Sequence, residues 1–149
     1  MEKRGFTLRF MTIVRDLALQ RNSTKSFWSI GAISAFLNGN HEILKPGNRW
    51  GDVDASSTLT FDGQCSLVDF LQQKHSGEPH PVLGVTYEQV VGAKATVFLS
   101  FAYTSDFIEM VDAIELYMAS HPERSPETTY FWFDVFVNNQ WTAMDKPFE

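Results

Sequence analysis

Residues 95–121 read ATVFLSFAYTSDFIEMVDAIELYMASH, and two hydrophobic periods meet inside this stretch. From Ala95 to Tyr103 the chain is almost continuously apolar, the pattern of a strand covered on both faces, as in parallel sheets. From Ser105 onward Phe107, Met110, Val111, Ile114 and Met118 recur at helical spacing, which predicts an amphipathic helix with Ser105 as its cap. A turn at HPERSP (121–126) then leads into TYFWFDVFVNN (129–139), a second strand candidate apolar on both faces. Strand, helix, short loop and strand make one βαβ unit, whose crossover is right-handed in nearly all cases. In such units the loops at the carboxyl ends of the strands form a crevice. That geometry brings SFAYTS (100–105) and DVFVNNQ (134–140) to one edge.

The stretch before this unit has a helical character. Phe6, Phe10, Ile13, Val14 and Leu17 predict a helix over 6–20. NSTKS (22–26) offers caps for a second helix across FWSIGAISAFL (27–37), ended at Gly39. The two helices read as an antiparallel pair. KPGNRWGDVDASS (45–57) marks a loop over 39–60, since Pro, Gly, Asn and Asp favour turns. Asp62 is placed to cap a short helix carrying Leu67, Val68, Phe70 and Leu71, which KHSGEPHP (74–81) ends. TYEQVV (86–91) fits one helical turn. The chain therefore divides into a mainly helical region, 1–88, and a βαβ half-domain, 89–149.

Composition bounds the function. With 44% hydrophobic and 20% charged residues, the 149-residue chain builds a core rather than a disordered tail. The net charge of -6, with basic residues scattered apart from Lys3, Arg4, Arg9 and Arg15, argues against nucleic acid as a partner. A single cysteine, Cys65, excludes an internal disulfide and fits a reducing compartment. No apolar run reaches the ~18–20 residues of a membrane span. The basic start of the chain is interrupted by Arg9, Arg15 and Asp16 and does not read as a secretory signal. These features together point to the cytoplasm.

Few constellations carry chemistry. Ser100, His121 and Asp134 supply the residue types of a hydrolase triad, but His121 falls about 24 Å along the helix axis from its start, at about 1.5 Å per residue. Cys65, His75 and His80 lack the paired spacing of a zinc site and read as solvated loop residues, so no metal ligand is assigned. DVD (52–54) reads as turn chemistry. Asp106, Glu109, Asp112 and Glu115 form an acidic helix face that reads as solvated surface. Asp134 stands apart, because it interrupts an aromatic run at the crevice end of a strand, where burial demands a hydrogen-bonded partner. The amides of VNNQW (137–141) suit either a nucleotide or a turn.

ATVFLSFAYTSDFIEMVDAIE (95–115) resembles the opening of a Toll/interleukin-1 receptor (TIR) domain, whose first strand typically ends at a Ser and leads into the first helix. YFWFDVFVNNQW (130–141) resembles the second strand of a TIR-like subfamily of microbial eukaryotes, the algal and oomycete type, with a FWFD…NQ run. CSLVDFL (65–71) and VVGAKATVF (90–98) are similar to its lead-in, whereas SFAY stands where the subfamily more often has SHAW. The resemblance implies the first part of a flavodoxin-like parallel sheet. It also implies that Ser100 and Phe101 end the first strand, that Asp134 ends the second, and that Ser100, Phe101, Tyr103 and Asp134 border a nucleotide crevice.

In enzymatic TIR domains a glutamate on a later helix supports cleavage of nicotinamide from NAD. The chain reaches Glu149 before such a helix, so the reading is an incomplete domain of a longer protein, with no catalytic residue and no resident cofactor. The implied role is a protein-interaction module in signalling, pairing with other TIR-like domains or with itself. The alternatives are an NAD-cleaving hydrolase completed beyond this chain and a non-functional remnant.

Overall fold

The computed structural model describes residues 4–21, 28–39, 64–92 and 94–138. Among them, ten elements follow one another: β1 (Gly5–Phe6), α1 (Leu8–Arg21), α2 (Ile30–Asn38), α3 (Leu67–Lys74), α4 (Tyr87–Val90), β2 (Val91–Gly92), β3 (Val97–Phe98), α5 (Phe107–Ala119), β4 (Phe131–Trp132) and α6 (Asp134–Val137). The fold class is mixed α/β. One four-stranded mixed sheet runs in the order β2-β1-β4-β3. β3 and β4 are parallel, with Val97 opposite Phe131 and Phe98 opposite Trp132, and α5 connects them. The βαβ unit read from the sequence is therefore present.

The sheet also holds a strand that hydrophobic periodicity does not announce. β1 lies between β2 and β4 and is antiparallel to both, with Phe6 opposite Val91 on one side and Phe131 on the other. Gly5 and Gly92 face each other across β1 and β2 because Tyr130 closes over them. A Cβ on Gly5 would stand 2.6 Å from the Cβ of Tyr130, and one on Gly92 would collide with its ring.

α1 turns Phe10, Met11, Val14 and Ala18 inward and packs against α5 instead of pairing with α2 as the sequence suggested. Between these two helices Arg15 donates to Asp112 at 2.9 Å and also to Glu115. α2 is buried along its whole length, a consequence of the uniformly apolar IGAISAFL run. Ser29 Oγ accepts from the Ala32 N–H at 3.0 Å and starts the helix. Gly39, at φ 62°, ends it as predicted, donating to the Ala35 carbonyl at 2.9 Å.

Residues from both sides of position 88 share one core. Phe136 lies at its centre, edge-on to Phe6 at 4.5 Å, Phe10 at 5.2 Å and Phe133 at 5.3 Å between ring centroids. The same ring meets Phe107 of α5 at 6.4 Å, so five aromatic side chains tie the sheet to α1, α5 and α6.

Several local expectations are corrected. The aromatic run 129–139 is not one strand: after Trp132 the chain turns into α6, because Phe133 and Phe136 reach the same core only at helical spacing. Ala95–Tyr103 is not a strand covered on both faces, since β3 is two residues long at the sheet edge and Phe98 is 54% exposed. Asp106, not Ser105, caps α5, its carboxylate accepting from the Ile108 N–H at 3.0 Å. Ser66 caps α3, its hydroxyl accepting from the Asp69 N–H at 3.1 Å. The NSTKS caps, Asp62, DVD and residues 41–60 lie outside the described residues. No helix among the described residues is long and apolar enough to cross a membrane.

Candidate functional site at the carboxyl ends of the parallel strands

Parallel pairing of β3 and β4 sends both following segments off the same edge of the sheet. The ladder continues one step beyond β3, where the Leu99 N–H donates to the Trp132 carbonyl at 2.9 Å. The loop then turns, with the Ser105 N–H on the Ala102 carbonyl at 2.9 Å. Its far side is stitched to the start of α2. Ile30 N–H donates to the Ser105 carbonyl and Gly31 N–H to the Tyr103 carbonyl, each at 2.9 Å, while the Phe107 N–H donates to the Trp28 carbonyl at 2.7 Å. The first amides of α2 are thus occupied by this loop's own carbonyls.

This stitching sets Tyr103 against α6. Its phenolic O–H donates to Asp134 Oδ2 at 2.8 Å, joining the loops that follow the two parallel strands. Burial pushes the pKa of the Tyr103 hydroxyl well above its ordinary 10, and the neighbouring Asp134 charge and hydrogen bond reinforce the effect. Tyr103 therefore stays a neutral donor. Of the four residues assigned to the crevice, the structure brings Tyr103 and Asp134 into contact, and Asp134 stands at the first position of α6, just beyond β4. Ser100 and Phe101 lie on the exposed part of the same loop, just beyond β3 rather than within it. Phe101 is 45% exposed, and the partly exposed Trp132 ring lies 6.0 Å from Phe98.

The other constellations resolve differently. His121 sits beyond the far end of α5, its Nδ1 2.7 Å from the Tyr117 carbonyl and its ring against the Tyr117 ring, so no triad with Ser100 and Asp134 forms. The acidic face of α5 is largely exposed at Glu109, Asp112 and Glu115, as read from the sequence, but Asp112 and Glu115 also meet Arg15, and Asp106 serves as cap. His80 is buried, not solvated, and its ring lies 4.7 Å from that of His75. Burial, followed by the Asp69 charge, pushes the Cys65 thiol up, which disfavours a thiolate. Among the described residues no three His, Cys, Asp or Glu side chains converge as metal ligands.

A cavity of about 410 Å³ opens at the opposite, amino end of the parallel strands, lined by Thr7, Arg9, Thr12, Gln89, Glu115 and Glu127 among others. No sequence signal marks it, because its lining comes from four separate stretches of the chain. Comparison with protein-family models, curated proteins and solved structures finds no match to this chain.

Proposed function

We propose that this chain is a TIR-like interaction module, the first part of a flavodoxin-like domain, which associates with a second copy or with other TIR-like domains in signalling. The observation that carries the reading is the parallel β3–α5–β4 unit whose two following loops are joined by Tyr103 and Asp134. A loop edge held by a part-buried hydrogen bond and by two backbone bonds from α2 is a rigid platform, and rigid surfaces lose less entropy on association. Phe98, Phe101 and Leu116 expose apolar surface on and around this unit, with Leu116 at 71%. Exposed apolar side chains of this kind favour protein contacts over a small polar substrate.

Sedimentation equilibrium on the native chain and on Phe101→Glu tests the reading. A concentration-dependent dimer that the substitution weakens by about tenfold or more supports it. A native chain that stays monomeric, and that also fails to bind TIR-like domains, overturns it.

A second reading, NAD cleavage by a longer protein, draws on the same Tyr103–Asp134 pair, which would border the nucleotide while a glutamate beyond this chain supplied the chemistry. NAD consumption by such a protein, lost on Asp134→Ala, would favour it over the first.

A further inference from the structure

The segment between α3 and α4 is held by a histidine used as a hydrogen-bond acceptor. His80 is 5% exposed, and its Nδ1 accepts from the backbone N–H groups of Val82 at 3.0 Å and Leu83 at 3.1 Å. Its own backbone closes the same turn, donating to the Val85 carbonyl at 2.9 Å and accepting from Gly84 at 2.8 Å. The turn seats Leu83 and Val85 in the core. A ring nitrogen that accepts two N–H bonds must be unprotonated, so this geometry fixes the neutral imidazole with its hydrogen on Nε2.

The surroundings oppose a proton there. α3 contributes the uncharged Phe70 ring at 5.9 Å, and its C-cap contributes His75 at 4.7 Å, the titratable group that faces His80. The turn 81–85, PVLGV, brings no titratable side chain. On α4 the Glu88 carboxylate is taken by the Ser76 hydroxyl at 2.8 Å and the Gly77 N–H at 3.2 Å. Burial first, and charge on His75 second, hold the His80 imidazole below its ordinary 6.5.

We propose that His80 is an acid-labile clasp: protonation of Nδ1 removes the acceptor for Val82 and Leu83, releases the 80–85 turn, and uncovers Leu83 and Val85. The proton taken up at Nδ1 becomes a donor facing two donors, which the turn cannot accommodate. The released turn would expose apolar side chains on the element that leads through α4 into the sheet. The clasp thus couples acidification to the surface of the fold, in the manner of histidine-gated switches.

Amide hydrogen exchange of Val82 and Leu83 between about pH 7.5 and about pH 5, corrected for intrinsic rates, tests the clasp. The expected result is a roughly tenfold loss of protection at both amides in acid, with α5 amides unchanged. In His80→Asn the side-chain oxygen sits where Nδ1 sits and accepts the same bonds without titrating, so this variant is expected to keep protection across the range. An equal acid response in native protein and His80→Asn overturns the proposal. The ¹⁵N shift of His80 Nδ1 in native protein decides independently of the variant. Protonation that coincides with the loss of protection supports the clasp, and protonation with both amides still protected overturns it.

Discussion

Tyr103 donates its phenolic hydrogen to Asp134 at 2.8 Å, and this one bond joins the segments that leave the two parallel strands. Tyr103→Phe removes the donor while keeping the ring, and leaves a part-buried carboxylate with one partner fewer. A loss of about 1–2 kcal/mol in urea denaturation is expected, with faster exchange at Ile30 and Gly31, whose amides bond to the same loop. Asp134→Ala is expected to disturb the loop more than Glu115→Ala, because Glu115 shares Arg15 with Asp112.

The same pair sets an alkaline limit. The folded state raises the Tyr103 hydroxyl above its ordinary 10, so the unfolded chain releases that proton first. The stabilisation is fully present below about pH 10 and is lost as pH rises beyond it. In a phenolate absorbance titration, the native-minus-Tyr103→Phe difference should rise above the ordinary range, and Asp134→Asn should move it to lower pH. A difference curve centred at an ordinary tyrosine value in native protein would contradict the burial of the pair.

Arg15 clamps α1 to α5. Its partners are largely exposed, so Arg15→Ala is expected to cost only about 0.5–1 kcal/mol, with a loss that shrinks in high salt. Thermal melts at low and high ionic strength check this.

Phe136 sits among Phe6, Phe10, Phe107 and Phe133, and its truncation opens a cavity between sheet and helices. Phe136→Ala is expected to cost about 3–5 kcal/mol, which approaches the stability of a small domain. Loss of the cooperative unfolding transition would show it.

Glycine positions separate two physical causes. Gly39→Ala places a side chain at φ 62° and is expected to cost about 1–2 kcal/mol through the left-handed backbone. Gly92→Ala drives a methyl group into the Tyr130 ring and is expected to cost about 1–3 kcal/mol, relieved in part by Tyr130→Ala. A double-mutant cycle in which the two changes simply add would remove the steric explanation.

What the chain records locally was legible. The change of period near Ser105, the end of α2 at Gly39 and the single turn of α4 were all readable, because each depends on residues within one or two turns of one another. The candidate pair was half legible: an Asp inside an aromatic run signalled a partner, while the partner's identity did not follow from spacing. Only the tertiary structure decided that Gly5–Phe6 enters the sheet, since two residues carry no periodicity. It likewise decided that the chain winds into a helix after Phe133 and so brings Phe136 to the same core, that Arg15 takes Asp112 and Glu115, and that His80 turns inward as an acceptor. Periodicity states which face of an element seeks cover, but the cover comes from residues far along the chain, and its choice is a property of the packed core as a whole.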